Sequence, residues 1–189
     1  MLSSRLIQRT ILLIGVLMVV GLGLLPASAL AADAKTIDAD VDVTLKDFSE
    51  KITGSDEFLK TAKGVLVFPA IYKAGFIFGA EYGDGALRID GKTVDYYNTA
   101  AASFGFQIGA EKTALILMFM KDAALEKFRK SMGFELGVDA SATLVTVGAK
   151  GSLDTTKLAE PILAFVLNQR GLMAGVTLEG AKFTKLDLK

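Results

Sequence analysis

The chain has 189 residues, 21 basic and 21 acidic side chains, and no cysteine, histidine or tryptophan. That composition excludes disulfide staples, thiol nucleophiles, imidazole bases and soft-metal sites, leaving carboxylates, hydroxyls and lysines to do any chemistry. A near-neutral balance with lysines interspersed among acids also excludes the basic stripe that nucleic acid demands.

Residues 1–31 read as a secretory signal: a basic start at Arg5 and Arg9, an apolar run from Ile11 to Leu25, and small-residue cleavage motifs ending at Ala29 and Ala31. The run is shorter than the roughly 20 apolar residues of a spanning helix. Cleavage predicts a bacterial exported protein, periplasmic or secreted; the alternative is an inner-membrane anchor through residues 11–25. Losing the leader leaves 19 basic against 21 acidic residues, a formal charge of −2. Residues 32–189 then read as a single domain, large enough to bury a core without disulfides or metal.

From Thr36 to Ile52 the apolar residues Ile37, Val41, Leu45, Phe48 and Ile52 recur at helical spacing, between Asp38, Asp40, Asp42, Asp47 and Glu50. Ser55 reads as the cap of a second short helix, Asp56 to Ala62. After Lys63 the texture becomes strand-like, with turn signals at Tyr82-Gly83-Asp84-Gly85 and Ile89-Asp90-Gly91-Lys92. Predicted strands are Gly64–Phe68, Gly75–Tyr82, Gly85–Ile89, Val94–Tyr97, Ser103–Ala110, Thr113–Met120, Phe134–Val147, Pro161–Asn168 and Leu172–Glu179. A helix interrupts them at Asp122–Ser131, with Leu125 and Phe128 inward. The fold class is α+β: a strongly curved antiparallel sheet, barrel-like or two-layered, with an N-terminal amphipathic helix and one or two short helices.

Four stretches share a pattern of two glycines four residues apart: Ala74–Gly83, Phe104–Thr113, Met132–Ser141 and Arg170–Glu179. Read with period two, Phe76, Phe78, Ala80 and Tyr82 and their counterparts form an apolar core face. The opposite face is bare at Gly75, Gly79, Gly105, Gly109, Gly133, Gly137, Gly171 and Gly175. Sheet curvature, close approach of another backbone, or an acyl chain would each explain the bare side. Glu81, Glu111 and Asp139 hold equivalent positions and read either as a cation or acid pair site or as a wet outer face. No Gly-rich phosphate fingerprint between strand and helix occurs, so no enzyme activity, cofactor or bound metal is predicted.

Ala62–Arg88, AKGVLVFPAIYKAGFIFGAEYGDGALR, together with Arg170–Ala181, RGLMAGVTLEGA, resembles the SYLF-domain family. The resemblance runs from about Leu45 to the end and implies a non-enzymatic domain that binds lipid or a membrane surface. In eukaryotic members phosphoinositide binding goes with a basic amphipathic N-terminal helix, whereas the corresponding helix here is acidic. The next segment suits such a surface better, since Lys60, Lys63 and Lys73 lie close together in sequence around Phe58, Phe68 and Tyr72; surface binding is expected at Lys60, Lys63, Tyr72 and Lys73, with phospholipid or a membrane surface as partner. The alternative is a structural or interaction module that forms a homo-oligomer, or docks an envelope protein, through its Gly-rich strands.

Overall fold

Asp33 opens the first helix because its carboxylate accepts the Thr36 amide at 2.7 Å, satisfying one of the free donors of the first turn. A computed structural model describes residues 33–75, 78–104, 112–131, 133–146, 152–168, 171–174 and 176–188. Helix α1 (Ala34–Lys51) buries Ile37, Val41 and Phe48. Each such side chain contributes about 1.5–3 kcal/mol relative to exposure. Helix α2 (Ser55–Thr61) follows, capped by Gly54 at φ 92° rather than by Ser55, whose hydroxyl instead donates to the Ser49 carbonyl at 3.5 Å.

Strands β1 (Gly64–Gly75), β2 (Phe78–Ile89) and β3 (Lys92–Phe104) form a meander, and β4 (Lys112–Phe119) returns to the far side of β1. The resulting order β3-β2-β1-β4 is that of a Greek key. Helix α3 (Asp122–Lys130) comes next. It is followed by β5 (Phe134–Glu135), β6 (Thr143–Leu144), β7 (Ile162–Asn168), β8 (Gly171–Leu172) and β9 (Lys182–Leu186). The full order is β5-β9-β3-β2-β1-β4-β7-β6, with β8 also on β7, and every pairing is antiparallel except β6 with β7. The fold is α+β, as expected, and the sheet curls through 237° into a half-barrel.

The direction of curl follows from side chains that meet across it. Phe68 on β1 and Phe183 on β9 stack with ring centroids 5.4 Å apart, although three strand spacings of ~4.8 Å separate their strands. Only the concave side brings such residues together. Phe128 of α3 sits inside, touching Tyr97, Phe119, Phe134 and Phe183. The convex side carries a second core, in which Ile37, Val41 and Phe48 of α1 and Phe58 of α2 pack on Val65, Val67, Ala86, Ile116, Met118 and Phe165. Alternate residues of one strand serve the two cores: Leu115, Leu117 and Phe119 face inward, Ile116 and Met118 outward.

Several local expectations change. The Ile89–Lys92 turn forms, with Asp90 at φ 50° and Gly91 at φ 75°, the two positive-φ positions of a tight hairpin. The Tyr82–Gly85 segment is no turn; it lies inside β2. Six residues of β1 from Val67 to Tyr72 span the same stretch as five of β2 from Ala86 to Tyr82, and β4 sees the same extra residue between Phe68 and Ile71. This bulge contains Pro69, which cannot donate to a ladder. A Cβ at Gly83 or Gly85 would run into the Ala70 or Val67 carbonyl oxygen, so these glycines admit the bulged backbone.

The expected long strand Phe134–Val147 breaks into β5 and β6, because Gly137 turns at φ 89° and the Asp139 carboxylate takes the Glu135 amide at 2.8 Å. Of the expected strand Leu172–Glu179, Leu172 alone is strand among the described residues, as the end of β8, and β9 escapes the sequence reading because its five residues carry little period. Residues 133–145 instead lead from β9 to β7, and the described residues of 173–181 lead back from β8, on β7, to β9. There Ala140, Leu144, Met173, Val176 and Leu178 pack against the concave core.

Candidate functional site

The four sequence-predicted binding residues do not form one site. Lys60 is exposed on α2 and Lys63 is exposed just before β1, whereas Tyr72 and Lys73 lie near the other end of that strand. Nine residues of strand put Lys63 and Tyr72 about 30 Å apart. Beside Lys60, an open cleft of about 550 Å³ at the α1–α2 corner is lined by Glu50, Asp56, Glu57 and hydroxyls, with Ile52 the main apolar side chain. An acyl chain has little to bury there.

The glycines do not share one face either. Gly75 and Gly79 are cross-strand partners at the end of the β1–β2 hairpin. Gly133 lies against the Lys182 side chain, while Gly137 and Gly171 adopt φ 89° and 118°. Gly105, Gly109 and Gly175 lie outside the described residues, as does Glu111. Glu81 is on β2 opposite Lys73, and Asp139 is in the turn after β5, so those two carboxylates are not brought together. Among the described residues no group of three or more metal-capable side chains occurs.

What the sheet does assemble is a row across five strands. Registered pairing aligns Lys182, Ala100, Tyr82, Tyr72 and Lys112 on β9, β3, β2, β1 and β4. All five are exposed, Tyr72 by 55% and Tyr82 by 39%. Tyr82 alternates with Asp84 and Ala86, and Ala86 belongs to the convex core, so the row is convex. The apolar face expected to be core therefore turns outward here: Ala80 and Tyr82 are exposed. Tyr82 donates its hydroxyl to Asp84 at 2.7 Å, and partial burial together with that carboxylate pushes the phenol up to about 12.

Among the described residues, helices α1 and α2 cover the convex face at the Val65, Val67 and Ala86 end of β1 and β2, and a charged latch holds α1 there. Arg88 of β2 donates to Asp42 at 2.8 Å and to the Asp38 carbonyl at 3.2 Å. The Asp38 carboxylate accepts Thr93 at 2.6 Å and Tyr96 at 2.9 Å. Two of the acids that made α1 look hostile to anionic surfaces thus point at the sheet. Sequence reasoning missed Tyr82, Lys112 and Arg88, the first because it was read as part of the apolar core face and the others because only register brings them beside their partners.

A family model described as "Ysc84: Las17-binding protein actin regulator" matches residues 100–187. SH3 domain-containing YSC84-like protein 1 of Homo sapiens is 29% identical over 153 residues, 78% of this chain and 44% of that protein. The Bos taurus protein of the same name is 28% identical over the same shares, and that of Xenopus laevis 28% over 64% of this chain and 37% of its own length. The chain thus spans less than half the length of these curated relatives. These matches support the resemblance of the chain to the SYLF-domain (Ysc84) family.

Proposed function

We propose that this is a non-catalytic domain of the bacterial envelope that binds lipid at a membrane surface. The observation that carries the reading is the convex face beyond the helices, where Tyr72 and Tyr82 stand exposed side by side on a strand face patterned for burial. Tyrosine combines an apolar ring with a polar tip and suits the boundary between headgroups and acyl chains. The leader-like residues 1–31 support export, and N-terminal sequencing of the protein recovered from its host tests it. The full-length relatives carry a name that includes an SH3 domain, and nothing in this reading requires one.

Co-sedimentation with phospholipid vesicles at low salt tests the binding. Retention on anionic vesicles is expected; no retention on either anionic or zwitterionic vesicles refutes the reading. A protein-docking role has one feature in its favour. Strand β9 pairs with β3 only from Tyr96 to Ala100, which leaves β3 residues 101–104 without a neighbour on that side among the described residues. Concentration-dependent association in sedimentation, with no vesicle binding, would favour that role.

A further inference from the structure

We infer that an anionic bilayer docks on the convex face of β1 and β2 at Tyr72 and Tyr82, with Lys112 beside them. This inference rests on the membrane-binding reading above and assigns that reading its residues and orientation. The argument is geometric. A flat surface meets the outside of a curled sheet along its strands, so neighbouring strands fall away on both sides. Tyr72 and Tyr82 are registered partners on adjacent strands and reach such a surface together. Lys112, one strand further on β4, is exposed and is the cross-strand partner of Tyr72. Its long side chain spans the small recession and brings an ammonium to headgroup phosphates.

Lys182, two strands beyond Tyr82, recedes further and contributes less. At the lower end α1 occupies the convex face, held by Arg88, and a helix layer rises ~10 Å from a sheet. It keeps the bilayer off the Val65–Val67 end of β1 and leaves contact to the stretch at Tyr72 and Tyr82. The outer side of α1 pairs its own charges, Lys46 with Glu50 and Lys51 with Asp47, so it offers anionic lipid little attraction.

The chain contains no tryptophan, so single substitutions install unique reporters. Tyr72→Trp and Tyr82→Trp variants of the protein without its leader, residues 32–189, a compact unit of their own, are mixed with phosphatidylglycerol vesicles and, separately, with phosphatidylcholine vesicles. Both emissions shift to the blue with phosphatidylglycerol. A Val138→Trp control, on the turn after β5 and 75% exposed, does not shift. Lys112→Gln weakens binding to phosphatidylglycerol about fivefold, as expected of one basic residue at an anionic surface, and leaves phosphatidylcholine binding unchanged. Silent reporters at both tyrosines in a protein that still co-sediments overturn the inference while sparing the function. Failure of the unmodified protein to co-sediment removes the function itself.

Discussion

Arg88 of β2 and Asp42 of α1 meet at 2.8 Å, with Asp38 a further 3.4 Å contact of the same guanidinium. The arginine is nearly buried, while Asp42 is largely exposed and Asp38 partly so. Arg88→Met should therefore cost about 2 kcal/mol, the scale of hydrogen bonds to a charged group, and Asp42→Asn well under that. Urea denaturation of the three proteins checks the order. Equal stability of the arginine variant and the parent would mean that apolar packing alone seats α1.

Much of this arrangement was legible in the residues, and the rest was hidden for physical reasons. The 3.6-residue period of Ile37, Val41 and Phe48 located α1, and Asp90-Gly91 located its hairpin, because both signals are local. Tyr82-Gly83-Asp84-Gly85 carries the composition of a turn yet lies within β2, since its glycines answer a bulge in another strand that no local pattern records. The exposed tyrosine row on the convex face was lost for the same reason. Alternation separates two faces, but it does not say how far along the strand helices cover the outer one. Tyr72 was identified; Tyr82 and Lys112 needed register.

The bulge makes its own prediction. Gly85→Ala places a Cβ against the Val67 carbonyl and the Phe68 ring, neither of which can move without disturbing β1. Gly91→Ala meets no atom within 4 Å and bears only the strain of its positive φ. The second should cost about 1 kcal/mol. The first should cost several times as much, as overpacking against backbone does. Thermal unfolding of both variants compares them, and equal losses would remove the close-approach role of Gly85.

Tyr97 is buried in the concave core, and its hydroxyl meets no hydrogen-bond partner among the described residues. Burial, reinforced by the Asp95 carboxylate, pushes its phenol up to about 12. In the unfolded chain it ionises near 10. The unfolded state therefore gives up its proton first, and stability falls as pH rises from about 10 to about 12 and levels off above. Tyr97→Phe should be neutral or stabilising at pH 7, by up to ~1 kcal/mol, and should flatten part of the alkaline decline. Urea midpoints from pH 7 to 12 test this; an unchanged decline would assign it to other groups, with Tyr82 the first candidate.

The central claim is that the uncovered tyrosines of the convex face hold the protein to a membrane, and vesicle co-sedimentation of the parent and the Tyr72→Ser/Tyr82→Ser pair tests it most directly. Both side chains are exposed, so the double variant should unfold at nearly the parent temperature. With phosphatidylglycerol vesicles at low salt its affinity should fall about tenfold, the equivalent of 1.4 kcal/mol. A folded double variant that sediments with vesicles as well as the parent would contradict the account.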